Sequence, residues 1–232
     1  MASTKPAVLV AGGTGALGAA ALGELLESGY PVTATWVVEE ERERVQTDFE
    51  GREGLTLVQA DLMDPEAVTE AVGGVDGLGA VVNLVGGFSA PGKVHEQSVD
   101  EFEAMLRLNL RPGFLLARVA IPRIISNGGG AFVGVSARPA LRPFPGAAGY
   151  ITAKAGVLAF IQALDAEYKG DGVRCNAILP SVIDTPANRR EMPDADHSKW
   201  VPPQQIAKVI RFLVSDESAP TSGAGIPVYG RA

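Results

Sequence analysis

Short apolar runs and longer amphipathic segments alternate along the chain. Runs rich in Val, Ile and Leu that are bounded by Gly or Pro are typical of buried strands, whereas apolar residues spaced three and four apart are typical of helices. The predicted strands cover residues 7–11, 30–36, 55–59, 80–85, 130–136, 173–179 and 225–228. The predicted helices cover residues 16–28, 39–48, 65–72, 99–125, 147–168 and 204–215.

This regular alternation of strand and helix predicts the fold class. Strands that are each followed by a helix usually pair in parallel, with helices covering both faces of the sheet. We therefore expect an α/β fold, a Rossmann-type doubly wound parallel sheet of about seven strands in three α/β/α layers. No repeat, linker or low-complexity segment interrupts residues 1–232, so we expect one domain. Its ligands should bind outside the carboxyl ends of the strands.

The turn after the first strand has the pattern of a phosphate site. Gly12, Gly15 and Gly18 are three apart and lead directly into a helix. Gly12 permits a tight turn, Gly15 lets the backbone approach a pyrophosphate, and Gly18 allows close packing of helix and strand. The position of the loop after the first strand predicts a dinucleotide, although glycine-rich turns without a ligand also exist.

The end of the second strand normally distinguishes the two nicotinamide cofactors, because an acidic residue there holds the ribose 2′-hydroxyl and an Arg holds a 2′-phosphate. This chain has Trp36 instead, followed by Glu39–Glu41 and Arg42. The indole either stacks on adenine or covers the sheet edge. Asp61 ends the third strand, where it either accepts from the adenine amino group or makes a simple turn.

The segment 130–154 combines a buried strand, a loop rich in Pro and Gly, and the start of a helix. Tyr150 and Lys154 are four apart and share one helix face. Ser136 ends the strand, and it meets Tyr150 if the loop folds back over the sheet edge. A nearby ammonium lowers the pKa of a phenol, so we expect this pair to move a proton near neutral pH. The alternative is a chance pair in which Lys154 lies over a half-buried Tyr150.

A helix with an internal proline is predicted at 99–125, and it is apolar on more than one face. Pro112 should kink it and free carbonyl groups beside Asn109 to bind water. The alternative is an ordinary kink with a satisfied Asn109. The flanking loops, 88–98 and 181–203, are long enough to shape a binding pocket. In the second loop, Asn188–Arg190 either meet a polar substrate or are solvated.

Composition and charge exclude several classes of function. No apolar run reaches the roughly 18 residues of a membrane span, and the net charge of −7 with scattered basic residues argues against nucleic acid. His95 and His197 lack metal-ligand spacing, so we expect no metal site. Cys175 is expected to be a buried small residue. The N-terminus shows no signal-peptide pattern, so we expect a cytoplasmic protein.

Taken in order, these motifs resemble those of the short-chain dehydrogenase/reductase family over nearly the whole chain. The resemblance rests on AGGTGALG at 11–18, ADL at 60–62, NLVGG at 83–87, LNLRPGF at 108–114, Ser136 with Tyr150 and Lys154, and Pro180 with Thr185. It implies cofactor contacts from Gly12, Gly13, Thr14, Gly15, Ala16, Leu17, Gly18, Trp36, Asp61, Leu62, Asn83, Val85, Gly86, Tyr150, Lys154, Pro180, Val182, Ile183 and Thr185.

The resemblance also implies an activity, hydride transfer between NAD(H) or NADP(H) and a small carbonyl or alcohol. Tyr150 would be the general acid/base, Lys154 would hold the nicotinamide ribose and lower the pKa of Tyr150, Ser136 would bind the substrate oxygen, and Asn109 would hold a relay water. The alternative within this fold is a non-catalytic NAD(P) sensor. Family members usually pair through the helices that correspond to 99–125 and 147–168, so we expect a homodimer or homotetramer.

A narrower likeness concerns the second loop. Residues 179–200 and the segment GGTGALG resemble dihydropteridine reductases, which use NADH to reduce a quinonoid dihydropterin. That group lacks the catalytic serine and has an acidic residue where Trp36 stands. This likeness, together with the absence of a basic residue at 12–18 or 36–38, favours NAD(H), while Arg42 keeps NADP(H) open.

Overall fold

A parallel sheet of seven strands runs through the computed structural model, which describes residues 5–231. Its strands are β1 (Ala7–Ala11), β2 (Val32–Trp36), β3 (Leu55–Gln59), β4 (Leu78–Asn83), β5 (Gly130–Val135), β6 (Val173–Pro180) and β7 (Gly225–Val228). The helices are α1 (Ala16–Glu27), α2 (Glu39–Asp48), α3 (Pro65–Gly73), α4 (Val99–Ser126), α5 (Ala148–Tyr168), α6 (Pro186–Glu191) and α7 (Pro203–Val214). The strand order β3-β2-β1-β4-β5-β6-β7 confirms the predicted doubly wound sheet.

Two apolar cores lie on opposite faces of the sheet. One joins α3, α4 and α5 to side chains such as Leu9, Val81 and Phe132. The other joins α1, α2 and α7 to the alternate positions, such as Val8 and Val133. Because successive strand residues point to opposite faces, each central strand supplies both cores and is apolar throughout. The three-layer prediction is therefore confirmed.

The second loop contains a short helix that was not predicted from the sequence. Helix α6 lies within it, since Thr185 accepts a hydrogen bond from the backbone N–H of Asn188 at 3.2 Å and Pro186 occupies the first turn. A threonine cap followed by proline is a strong start signal for a helix. Helix α4 runs from Val99 through both Pro112 and Pro122, and Ser98 caps its N-terminus.

The strand order reverses between β1 and β4, which places a crevice at their carboxyl ends. Ala11 pairs with Asn83 at the end of these two strands. The N–H of Leu84 then donates to the carbonyl of Ala11 at 3.0 Å. The glycine loop and the segment after β4 thus leave the sheet side by side.

Within 5–231, no helix combines the length and the hydropathy that a membrane crossing requires. The same residues contain no group of three or more His, Cys, Asp or Glu side chains arranged to hold a metal ion.

Candidate active site

The glycine loop between β1 and α1 has the geometry that phosphate binding needs. Gly12 adopts a φ of +73°, a conformation that disfavours residues with a Cβ. A Cβ on Gly13 would lie 2.6 Å from the Cβ of Ala34, and one on Gly18 would lie 2.4 Å from the carbonyl oxygen of Gly13. The loop therefore requires glycine at three positions, because it packs tightly against β2 and α1.

The start of α1 is open to an anion. Among the described residues, no side chain caps this helix at Gly15. The first N–H groups of a helix have no partner within it, and they point outward with the positive end of the helix dipole. The N–H groups of Gly12 and Gly13 are already held by Thr35, through its Oγ1 and its carbonyl, at 3.1 Å each. The loop is thus fixed by β2 while the helix terminus fits a pyrophosphate.

Helix α2 holds the same loop from the other side. The hydroxyl of buried Thr14 donates to Glu41 Oε2 at 3.0 Å. Arg44 Nη2 donates to the Thr14 carbonyl at 2.6 Å. Within residues 5–231, no Lys, Arg or His nitrogen lies within 4 Å of the Glu41 carboxylate. A carboxylate without a counterion therefore borders the glycine loop. This role of Glu41 could not be predicted from the sequence, because Glu41 is one of several acidic residues on a charged helix.

Trp36 was predicted to contact the cofactor, and the structure places its ring in an open groove between α2 and β3. Phe49, Leu55 and Leu57 line the same groove. The guanidinium of Arg42 lies 5.6 Å from the centre of the indole ring. None of the described glycine-loop residues lines this groove, and the contact of Trp36 with the cofactor stays a prediction.

The segment after β4 brings three elements together. Val85 lies against the loop, since a Cβ on Gly12 would be 3.3 Å from Val85 Cγ2. A Cβ on Gly86 would lie 2.6 Å from Asn109 Oδ1 and 3.0 Å from Lys154 Nζ. Glycine at 86 therefore lets α4 and α5 deliver these two polar side chains to one point. The carboxyl ends of β1 and β4 lie beside the same point.

Other predicted cofactor positions lie at the strand ends where the sequence placed them. Leu62 is buried, and Asp61 Oδ1 accepts from the N–H of Met63 at 2.9 Å, which is the turn alternative. Asn83 Oδ1 accepts from the N–H of Val85 at 3.2 Å. Each of these two polar side chains therefore stabilises its own turn.

Asn109 is the polar residue that the sequence found inside α4, and its side chain is buried. Its Oδ1 accepts from the N–H of Gly87 at 3.2 Å, and its Nδ2 donates to the carbonyls of Gly87 and Met105 at 3.2 and 3.0 Å. Both amide hydrogens are therefore used, and one lone pair of Oδ1 is left. The amide fixes the backbone of Gly87 and so the start of the loop that follows.

Tyr150 and Lys154 share one face of α5 as predicted. Lys154 Nζ lies 5.9 Å from the centre of the Tyr150 ring and donates to the Val135 carbonyl at 3.0 Å. Lys154 is only 6% exposed, and burial lowers its pKa to about 8. Two of its three N–H bonds are left for other acceptors, which suits the vicinal hydroxyls of a ribose.

The expectation that the ammonium lowers the pKa of Tyr150 is corrected. Burial raises the pKa of the Tyr150 phenol to about 12. Phe88 contributes to this burial, because its ring lies edge-on to the phenol with 5.0 Å between ring centres. Removal from water disfavours the phenolate. This effect outweighs the stabilisation of the phenolate by the Lys154 ammonium, which makes no hydrogen bond to the phenol in the described structure. The phenol is therefore protonated at neutral pH.

The predicted meeting of Ser136 with Tyr150 is also corrected. The Ser136 hydroxyl donates to the Lys154 carbonyl at 2.7 Å, and the residue is 1% exposed. The alternation of β5 explains this direction, because Phe132, Gly134 and Ser136 all face the α5 side. The segment between Ser136 and Tyr150, ARPALRPFPGAAG, contains no other side-chain hydroxyl.

The loop after β6 is held largely by its own residues. Asn188 Nδ2 donates to the Ile183 carbonyl at 2.8 Å, and Arg189 pairs with Asp184 at 2.5 Å. Neither side chain is therefore free for substrate. Val182 is 37% exposed, and Pro180 ends the strand that enters this loop.

Known proteins resemble this chain in sequence and in fold. The family model described as short chain dehydrogenase matches residues 6–196. The 2-(R)-hydroxypropyl-CoM dehydrogenase of Xanthobacter autotrophicus is 31% identical over 189 residues, which are 75% of this chain and 76% of that protein. The 2,5-dichloro-2,5-cyclohexadiene-1,4-diol dehydrogenase LinX of Sphingobium indicum is 29% identical over 96% of this chain and 94% of its own length.

Solved structures with the same fold include the one described as ElxO with NADP bound. Its TM-score is 0.91 at 24% identity, over 97% of this chain and 98% of that chain. A likeness at this level of identity supports the fold alone. The arrangement around Tyr150 and Lys154 must therefore be judged from the residues of this chain.

Proposed function

This chain belongs to the short-chain dehydrogenase/reductase family, an NAD(P)-dependent enzyme family, and we propose that it transfers a hydride between nicotinamide and a small carbonyl or alcohol. The observation that supports this most directly is the pairing of a buried phenol with a buried ammonium beside an open helix terminus. A cofactor bound along this crevice supplies or accepts the hydride. The protein then has to position the reactants and move one proton.

Tyr150 is proposed as the general acid of carbonyl reduction. Its raised pKa keeps the phenol protonated, so it donates a proton to the substrate oxygen as the carbonyl carbon receives hydride. The same hydroxyl takes the proton back when an alcohol is oxidised. Lys154 is proposed to hold the ribose hydroxyls with its two unused N–H bonds, and its positive charge stabilises phenolate after proton transfer.

Ser136 and Asn109 are proposed to act around this pair. Ser136 is better placed to position Lys154 than to bind substrate, because its hydroxyl already donates to the Lys154 carbonyl. Asn109 fixes Gly87 with its amide and retains one Oδ1 lone pair, to which a water of the proton relay can donate. The contacts proposed at 12–18, 61–62, 83–86 and 180–185 complete the cofactor crevice.

NAD(H) is proposed as the preferred cofactor. The support is the Glu41 carboxylate, which contacts Thr14 on the glycine loop and has no cation within 4 Å in the described chain. A carboxylate beside this loop favours a ribose hydroxyl, which can donate to it, and disfavours a 2′-phosphate through charge repulsion. Arg44 is the competing feature, because its guanidinium bonds the carbonyl of the same Thr14.

A homodimer or homotetramer through α4 and α5 is proposed as the assembled form. Phe114 is 54% exposed on α4 and lies 6.4 Å from the ring of Phe160 on α5. The exposed positions along α5 include Ala159, Ala163 and Ala166, which allow a second helix to approach closely. A monomeric mass in light scattering at micromolar concentration would contradict this proposal.

A second candidate function is reduction of a quinonoid dihydropterin. The specific support is that the Ser136 hydroxyl donates to the Lys154 carbonyl and that no other side-chain hydroxyl stands between Ser136 and Tyr150 in the sequence. A site of this kind suits a substrate that needs only one strong donor. Steady-state assays of quinonoid dihydropterin against a panel of ketones separate the two candidates.

The decisive variant for the proposed function is Tyr150→Phe. It removes the proton donor and keeps the ring that packs against Phe88, so turnover should fall by several orders of magnitude. Calorimetric titration with NADH and NADPH should give nearly unchanged affinity, which controls for folding. Normal turnover by this variant refutes the mechanism, and cofactor binding by the wild type without turnover of any substrate favours the sensor alternative.

A further inference from the structure

Large apolar side chains are exposed mainly in the three loops that follow β4, β5 and β6. These residues are Phe88, Val94, Leu141, Phe144, Val182 and Met192. Exposed apolar residues that cluster at one place usually mark a binding surface, because leaving them in water is unfavourable. Here they border the carboxyl end of the sheet, and Tyr150 on α5 lies at the same end. We therefore assign the apolar surface to the substrate side of the site.

Phe88 and Phe144 form the part of this surface that lies nearest the proton donor. Phe88 is 56% exposed, and its ring is 5.0 Å from that of Tyr150 at an interplanar angle of 84°. Phe144 is 41% exposed, and its ring is 6.4 Å from that of Phe88 at 42°. We call these two rings the aromatic wall.

The aromatic wall is held rigidly by backbone contacts. Phe88 follows Gly87, whose N–H and carbonyl are both bonded to Asn109. Phe144 stands between Pro143 and Pro145, which restrict the backbone on both sides.

The two loops that carry the rings are also joined to each other. The N–H of Gly92 donates to the carbonyl of Gly146 at 3.2 Å. Gln97 Nε2 donates to the carbonyl of Gly92 within the first loop at 2.5 Å, and it also lies 3.5 Å from the Gly146 carbonyl of the second loop as a donor. A rigid apolar surface binds a flat apolar group with little loss of entropy.

We propose that the aromatic wall is the subsite for an apolar ring of the substrate, so that the enzyme prefers cyclic or aromatic carbonyls and alcohols to short acyclic ones. This inference rests on the proposed function and deepens it. A ring placed against Phe88 and Phe144 has its attached oxygen beside Tyr150, because Phe88 contacts both groups. Phe144 then determines specificity without contacting the proton donor in the described structure.

The test compares cyclohexanone with acetone in the wild type, Phe144→Ala and Phe144→Leu. The wild type should favour cyclohexanone by more than tenfold in kcat/KM, in line with the discrimination that apolar pockets provide. Phe144→Ala should lose most of this preference through a higher KM for cyclohexanone. Phe144→Leu keeps an apolar side chain and should fall between them.

The outcomes separate this inference from the proposed function. Turnover of both ketones without a preference, or with a preference that Phe144→Ala leaves unchanged, overturns the aromatic wall while the proposed function stands. If neither ketone turns over, the probe is 4-fluorobenzyl alcohol observed by fluorine NMR with NADH present. Line broadening in the wild type that Phe144→Ala removes supports the subsite, and equal broadening in both proteins overturns it.

Discussion

Lys154 is a buried ammonium without a carboxylate partner in the described residues, and replacing it should stabilise the protein while removing a proposed catalytic group. In residues 5–231, no carboxylate oxygen lies within 4 Å of Lys154, and Nζ bonds only the Val135 carbonyl. Burial lowers its pKa from 10.5 to about 8. At about 1.36 kcal/mol per pKa unit, folding the charged form costs about 3 kcal/mol.

The pH dependence of this cost has a definite sign. Below pH 8 the lysine is charged in both the folded and unfolded states, so the full cost is present. Between pH 8 and 10.5 the unfolded state binds more protons than the folded state, and the contribution of Lys154 to stability therefore rises with pH. At pH 10 the cost should have fallen to about 1 kcal/mol.

The variant is Lys154→Met, which has a similar length and no charge. It should gain about 3 kcal/mol at pH 7 from the removed charge and lose about 1 kcal/mol with the bond to Val135, for a net gain of about 2 kcal/mol. The advantage over wild type should vanish near pH 10. Cofactor affinity and turnover of the variant should both fall sharply. The wild type would then keep the Lys154 ammonium for its function, although the charge lowers its stability.

The assay is urea unfolding of wild type and variant at pH 7 and pH 10. Burial also raises the pKa values of Cys175 and Tyr150 to about 12, so both groups add to the pH dependence of stability. Their contribution cancels in the difference between the unfolding free energies of the two proteins. Lys208→Met is the matched control, since it makes the same substitution at an exposed position of α7. A Lys154→Met variant that is less stable than wild type by the same amount at both pH values would refute the reasoning.

Three further predictions concern the cofactor loop and the serine. Glu41→Gln should raise the affinity for NADPH about tenfold in calorimetric titration and leave the affinity for NADH nearly unchanged, because a negative charge beside the ribose is removed. If the wild type instead prefers NADPH and Arg44→Gln abolishes that preference, Arg44 determines the cofactor. Ser136→Ala should lower kcat less than tenfold and shift the pH dependence of kcat, because the serine acts by positioning Lys154. A thousandfold loss of kcat with an unchanged pH dependence would mean that the hydroxyl acts on the substrate. Gly18→Ala should destabilise by more than 2 kcal/mol and weaken both cofactors, because its Cβ would meet the Gly13 carbonyl at 2.4 Å; unaltered stability would show that the loop can relax.

The sequence predicted those features that depend on spacing within one element. Tyr150 and Lys154 share a face because a helix repeats every 3.6 residues, and the glycines at 12 and 18 recur where the turn geometry requires them. The direction of the Ser136 side chain could be predicted from a similar periodicity. Side chains on a strand alternate between its two faces, so Ser136 lies on the same face as buried Phe132, which is the α5 side. The cap and proline at 185–186 were an equally accessible start signal for α6, although no helix was predicted there.

Features that depend on contacts between distant elements were not accessible. Glu41 and Arg44 reach Thr14 only because α2 packs beside the glycine loop, and several similar charged residues surround them in the sequence. The raised pKa of Tyr150 depends on how deeply the ring is buried, which spacing does not encode. Phe88 and Phe144 meet only because two loops are hydrogen-bonded to each other.

Two hydrogen bonds in opposite directions join the end of β5 to α5: Lys154 Nζ to the Val135 carbonyl and the Ser136 hydroxyl to the Lys154 carbonyl. Sliding of the helix along the strand would stretch both bonds, so we expect them to be lost together. In amide hydrogen exchange, the strand end and this turn of the helix should open as one unit, at one rate. A ligand that engages Lys154 should slow that opening in both elements at once, so exchange mass spectrometry would report occupancy of the site without any turnover.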